Sequence, residues 1–259
     1  MTSAHLLKHH HGGWVPQRPD MRDQLFAPPE GAIPTSHLLD VTKLPKLDQG
    51  QQGSCTGHGP IGPVTFLQQA MKLKIVEPSP AFIYWNARVP EKTTDQDSGA
   101  SVRDSVAGVA KWGVCPNTEF KYSDQVFNKK PSAKDFKDAL LQQALVYQSV
   151  PNSGITGAIA SGFPFVYGFT VYETFEGDEV AKTGVVPIPK KGESVLGGHC
   201  TYAFGYNTLA TESLGIPPKS VACRNSWGPD WGDGGNFYLP LWFWSEGQAS
   251  DNWIIRKQG

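Results

Sequence analysis

No stretch of this 259-residue chain approaches the run of about 18 apolar residues that a membrane-spanning helix needs, so no helical anchor is expected. The N-terminal MTSAHLLKHHHGG has neither an apolar core nor a small-residue cleavage site and does not read as a secretory signal. Residence in the cytoplasm and export by a dedicated secretion machine both stay open. An excess of charge is missing too: 23 basic against 24 acidic residues leave a net −1, which offers no sequence-independent grip on nucleic acid or acidic membrane. Cysteine is scarce. Cys55, Cys115, Cys200 and Cys223 are too few and too scattered for a disulfide scaffold and read as reduced thiols. There are no internal repeats and no spaced Cys/His pairs for structural zinc, and His9, His10 and His11 read as a solvated tail rather than a metal site.

What is plentiful is Gly (28) and Pro (21), which mark turns and loops instead of a helical bundle. With 39% hydrophobic residues the chain can bury a full core as one large domain or two lobes. Residues 1–44 hold few large apolar side chains, among them Trp14, Val15, Leu25 and Phe26, and read as an arm laid across another surface. Helical signals follow at Val64–Lys74, with Pro63 suited to a first turn, and at Ser101–Trp112, closed by Gly113. Ser132 and Asp135 form a capping-box pattern ahead of Phe136, Leu140, Leu141 and Ala144. Beyond about residue 160 the pattern turns to β-type runs: FPFVYGFTVY, HCTYAFGYN, KSVACRNSW and NFYLPLW. Helices first and strands afterwards predict an α+β fold, a helical lobe (about 49–130) and an antiparallel sheet or barrel lobe (about 131–259) with a cleft between them.

Cys55 stands in QQGSCTGHGPIGP, among glycines and small polar residues where a packing cysteine would gain little. A nucleophilic thiolate needs an imidazole to hold its proton, an acceptor to orient that imidazole, and a donor for the developing oxyanion. His199 in GGHCTYAFGYN supplies the first, Asn225 in CRNSWG the second, and Gln49 in DQGQQGSC the third together with the Cys55 backbone N–H. His58 is a rival base, but a neighbour three residues along a helix shares the surface instead of reaching across a cleft.

At these residues the chain resembles the papain-like cysteine peptidases. Gln49-Gly50 with Gly53-Ser54-Cys55 is similar to that family's oxyanion and nucleophile stretch, Gly197-Gly198-His199 to its histidine strand, and Asn225-Ser226-Trp227-Gly228 with Trp231-Gly232 to its asparagine motif. The likeness runs from about residue 45 to the C-terminus. The arm motifs Gly13-Trp14-Val15-Pro16 and Pro19-Asp20-Met21-Arg22-Asp23, with Asp97-Ser98-Gly99-Ala100-Ser101, resemble the bacterial xylellain-like group in particular. The resemblance implies a thiol peptidase acting on peptides or proteins through an acyl-enzyme thioester, with Cys55, His199, Asn225 and Gln49 as its catalytic set. It implies substrate binding at Gly99, Ala100, Gly198 and Trp227, with Trp227 also shielding the Asn–His contact. No metal or organic cofactor is required, a monomer is expected, and the arm is expected to contact the cleft and restrict access.

The departures generate expectations of their own. Gln52 occupies a position where papain has a disulfide cysteine, so that crosslink is absent. Pro60 and Pro63, with Gly57 and Gly59, predict a kinked or interrupted nucleophile helix, leaving more of the thiolate stabilisation to His199. Alternation along the strands puts Cys223 on the face of Asn225 and turns Cys200 away, predicting two buried thiols rather than a disulfide. A peptide-binding protein of low turnover and an acyltransferase using the same thioester remain as alternatives.

Overall fold

The computed structural model describes residues 13–18, 20–28, 30–140 and 145–257; the His9–His11 tract lies outside the described residues. A short strand β1 (Ser36–Leu38) leads into the helices α1 (Cys55–His58), α2 (Ile61–Ala70), α3 (Pro80–Arg88), α4 (Val102–Trp112) and α5 (Ala133–Leu140). Strands follow: β2 (Leu145–Val150), β3 (Phe165–Tyr172), β4 (Val195–Asn207), β5 (Ser220–Arg224), β6 (Asn236–Pro240) and β7 (Ala249–Lys257), with short helices α6 (Ile155–Ala160), α7 (Asp178–Thr183) and α8 (Trp242–Ser245) between them. The fold is α+β, as the order of signals predicts.

The helices begin and end where side chains satisfy the free backbone groups of a helix end. Ser101 Oγ accepts the Asp104 N–H at 3.0 Å and Gly113 closes α4 at φ +73°, while Val102, Val106 and Val109 bury one face. Ser132 and Asp135 cap α5 reciprocally, Ser132 N–H to Asp135 Oδ2 at 2.7 Å and Asp135 N–H to Ser132 Oγ at 3.3 Å, which is the capping box read from the sequence. The first predicted helix is displaced: α2 starts at Ile61, not Val64, because Pro63 falls at the third helical position, where an N–H has no intrahelical partner to lose.

Among the described residues seven strands form one antiparallel sheet, ordered β2-β7-β3-β4-β5-β6 with β1 added to β4. No pairing joins β2 to β6, so the sheet is open rather than a closed barrel. One core gathers Phe165, Tyr167, Phe169, Phe175, Val221, Phe237 and Phe243 on the sheet side. A second core joins the sheet to the helices, packing Val166, Cys200, Trp253 and Ile255 against Cys55, Ile61, Val64, Val102, Val106 and Val109. The active cysteine candidate therefore sits on the seam where the helices meet the central strands. The arm is built into this frame: Phe26, Leu39, Val41 and Leu44 enter the sheet core, and the buried Arg224 guanidinium donates to the Leu44 and Val41 carbonyls at 3.2 and 3.4 Å.

Candidate active site

Cys55 is the first residue of α1 and is completely buried. The approach to it is fixed by polar ties. Gly50, at φ +57°, turns the chain and donates its N–H to Asp48 Oδ1 at 2.8 Å. Gly53 N–H donates to Asp97 Oδ2 at 2.9 Å, and Ser54 Oγ lies 2.7 Å from the Tyr122 hydroxyl. The helix ladder is interrupted after His58 and resumes at Ile61, as the prolines predict, although Gly59 and Pro60 keep helical dihedrals. Pro60 has no N–H for the Thr56 carbonyl. The Ser105 hydroxyl of α4 donates to that carbonyl instead, so the gap in the ladder is filled from a neighbouring helix.

His199 lies on β4 opposite Phe169 of β3, with its ring edge-on to Phe169 at 5.7 Å and tilted over Trp227 at 5.2 Å. Its Nε2 is 2.8 Å from Asn225 Oδ1, an oxygen that also accepts the Ser226 N–H at 2.9 Å. Trp227 is buried and backed by Phe175 and Trp231. Gln49 is tied to the same strand end, its N–H to the Ser226 carbonyl at 2.8 Å and its Oε1 accepting the Ser226 hydroxyl at 2.6 Å. Its Nε2 donates one hydrogen to the Gln52 carbonyl at 2.9 Å, leaving the second for another acceptor. The backbone N–H of Cys200, next to His199, bears on the Cys55 sulfur.

The arm closes over this point. A Cβ on Gly13 would come within 1.8 Å of the Gly53 carbonyl oxygen and 2.9 Å of Cys55 Sγ, so backbone alone fits there. Gly13 O accepts the Ala100 N–H at 2.8 Å and Val15 N–H donates to Ala100 O at 3.0 Å, a parallel pairing centred on Trp14. Gly99 holds φ +70° directly against the Gly13 backbone. Burial pushes the Cys55 thiol up to about 12, against smaller opposing effects from the N–H groups of Cys200, Gly13, Thr56 and Cys55 itself. The thiol under the arm keeps its proton.

Other residues singled out in the sequence take quieter places. His58 is buried, its Nδ1 2.9 Å from the Ser54 carbonyl and its ring edge-on to Tyr122, and burial lowers its pKa to about 4, so it stays neutral. All four cysteines are free: Cys200 faces the helices beside Gly59, and Cys223 faces the sheet core, where its Sγ accepts the Tyr167 hydroxyl at 2.9 Å. Among the described residues no group of three or more His, Cys, Asp or Glu is arranged to hold a metal, and no helix is long and apolar enough to cross a membrane. Sequence reasoning missed two carboxylates that tie this region together, Asp97 on the Gly53 N–H and Asp251, whose Oδ2 accepts the Trp14 indole N–H at 2.9 Å and the Gln17 N–H at 3.0 Å. Asp97 sits in the quoted DSGAS stretch, but Asp251 carries no local signal.

A buried cysteine at a helix start and a His–Asn pair on the adjoining sheet belong to an α+β architecture whose known relatives are cysteine peptidases. No family model matches the chain. It is 32% identical over 276 residues to an uncharacterized peptidase C1-like protein of Acanthamoeba polyphaga mimivirus, covering 95% of this chain and 86% of that one. It superimposes on xylellain, a cysteine protease from Xylella fastidiosa, with a TM-score of 0.86 at 31% identity, over 95% of this chain and 96% of that one. Digestive procathepsin L 3 of Tenebrio molitor shares the fold, with a TM-score of 0.71 at 13% identity over 100% of this chain and 80% of that one. The chain belongs to the papain-like C1 cysteine peptidases.

Proposed function

We propose that Cys55, His199 and Asn225 form the catalytic triad of this peptidase, on an arm (1–44) and peptidase domain (45–259), with Gln49 as an oxyanion donor. The observation that carries the reading is the 2.8 Å contact of His199 Nε2 with Asn225 Oδ1, which commits one ring nitrogen to orientation; the reading assigns the thiol proton to Nδ1. The thiol proton passes to Nδ1, and the thiolate attacks the peptide carbonyl carbon. The oxyanion takes hydrogen bonds from the Cys55 N–H and Gln49 Nε2, and the imidazolium returns its proton to the departing amine. Water, deprotonated by the same imidazole, then cleaves the thioester. Substrate backbone pairs with Ala100 and passes Gly99 and Gly198, a mode the arm already uses and one characteristic of strand addition. The arm holds the enzyme latent.

The test is labelling of the full-length chain opened by Trp14→Ala with a peptide vinyl sulfone, together with hydrolysis of a mixed peptide library. Both are expected at Cys55 alone, lost in Cys55→Ala, and reduced at least ~10³-fold in His199→Ala. Hydrolysis that survives Cys55→Ala would refute the assignment.

A further inference from the structure

Between α3 and the loop that joins α4 to α5 lies a cavity of about 140 Å³. Its floor is buried and built from Gln52, Tyr84 and Phe120, Phe127 adds a further aromatic wall, and the exposed Lys121 and Lys129 stand at the rim. A space of that volume accommodates a single benzene ring.

One polar atom in the floor has no protein partner. Gln52 is 2% exposed; its Nε2 donates to the Ser123 carbonyl at 3.3 Å, and its buried Oε1 accepts no hydrogen bond among the described residues. A buried oxygen left unpaired is costly until a donor reaches it. Turning the carboxamide over does not relieve this, because it would set the oxygen against the Ser123 carbonyl, which has no hydrogen to give. The rim carries the opposite requirement. No Asp or Glu lines the cavity, neither lysine is in an ion pair among the described residues, and Lys129 Nζ stands 5.1 Å from the centroid of the Phe120 ring, which holds one ammonium close to the floor.

We propose that this cavity binds a small phenolic carboxylate, its ring among Tyr84, Phe120 and Phe127, its hydroxyl donating to Gln52 Oε1 and its carboxylate meeting Lys121 and Lys129. A hydroxyl and a carboxylate at opposite ends of one ring satisfy floor and rim together. None of the residues assigned to catalysis or substrate pairing lines the cavity. Two of the lining residues nonetheless support that set: the Gln52 carbonyl accepts Gln49 Nε2 at 2.9 Å, and Tyr84 Oη accepts the Gly99 N–H at 3.0 Å. Binding itself does not depend on Cys55 acting as a nucleophile.

Isothermal titration calorimetry of the full-length chain with para-hydroxyphenylacetate as the probe tests this. Saturable one-site binding is expected, with a Kd on the order of 100 μM. Phenylacetate, which lacks the donor, and para-hydroxyphenylacetamide, which lacks the charge, are each expected to bind about tenfold more weakly. Lys121→Ala/Lys129→Ala, at two exposed positions, is expected to weaken the acid by a similar factor and to leave the amide unchanged, and Gln52→Leu to bring phenylacetate and its hydroxylated form to equal affinity. Absence of saturable heat at concentrations about a hundredfold above that Kd would overturn the proposal. Equal affinity of the wild type for the acid and either analogue would overturn it too, and so would unaltered affinity in the lysine double variant, which would put the binding elsewhere. Should Gln52→Leu fail to fold, the two acids compared on the wild type still decide the role of the donor.

Discussion

If the arm seals Cys55 through Trp14, then Trp14→Ala in the full-length chain should unmask the thiol. The half-buried indole contributes about 1–2 kcal/mol of apolar burial, and its hydrogen bond to the Asp251 carboxylate about 1.5 kcal/mol. Losing about 3 kcal/mol of seating multiplies the open fraction roughly 10²-fold. Pseudo-first-order alkylation of Cys55 by iodoacetamide, followed by mass spectrometry, reads this directly, with buried Cys115, Cys200 and Cys223 as internal controls. The pH dependence has a definite sign. Burial raises the thiol from its ordinary 9.0 to about 12, so a closed state that keeps water from the sulfur binds the proton more tightly than an open state that admits it. Closure is therefore strongest below about 9 and weakens as pH rises toward 12. The wild type should gain reactivity with pH more steeply than Trp14→Ala through that window. An alkylation rate unchanged by the substitution, in a protein of unchanged melting temperature, would refute the seal. Truncation to a start near Ile33 is a poorer perturbation, because it also removes Phe26 from the sheet core.

Two further substitutions probe the frame around the site. Asp97 accepts the Gly53 N–H at 2.9 Å and the Tyr84 hydroxyl at 2.6 Å, and Tyr84 Oη accepts the Gly99 N–H at 3.0 Å, so one carboxylate joins the nucleophile loop to the Gly99–Ala100 segment proposed to pair with substrate. In a chain opened by Trp14→Ala, adding Asp97→Ala should lower kcat/KM for extended peptides about tenfold, with Asp97→Asn recovering part of it; steady-state kinetics showing no loss would sink the idea. Burial raises the Glu176 pKa from 4.5 to about 7, so the folded state favours the protonated acid and the associated stability is full below about 4.5 and lost as pH rises through about 7. Glu176→Gln should accordingly raise the melting temperature at pH 8, by about 4 °C for a gain of about 2 kcal/mol, and change little at pH 4; calorimetry finding the same shift at both values would refute it.

The parts of this protein legible in the sequence are those whose cause is local. The α5 capping box and the α4 pair of Ser101 cap and Gly113 stop are written within a turn of the helices they bound, and the Gln49, Cys55, His199 and Asn225 motifs each carry their own flanking signature. The α3 helix was equally local, with Ser79 Oγ accepting the Phe82 N–H at 3.1 Å and Pro80 at the first helical position, a Ser-Pro signal available to reading. Strands β2 and β7 were not legible, because each is defined by pairing with the other across more than 100 residues. Asp251 belongs to that second kind. Its aim depends on a register shift between β3 and β7, and no neighbour in sequence announces it.

The same distinction bears on how the arm and a substrate relate. The arm meets the nucleophile with Gly13, a residue with no side chain, and pairs through Gly13 O and Val15 N–H with the two backbone groups of Ala100. A peptide laid along that strand needs the same N–H and the same carbonyl, and each backbone N–H has one hydrogen to give. On the proposed strand-addition mode, arm and substrate exclude each other at the level of the backbone, whatever side chains the substrate carries. The side chain enters afterwards: Trp14, packed against Gly168 and Gly198 and bonded to Asp251, adds its own affinity to a pairing that any extended chain could make.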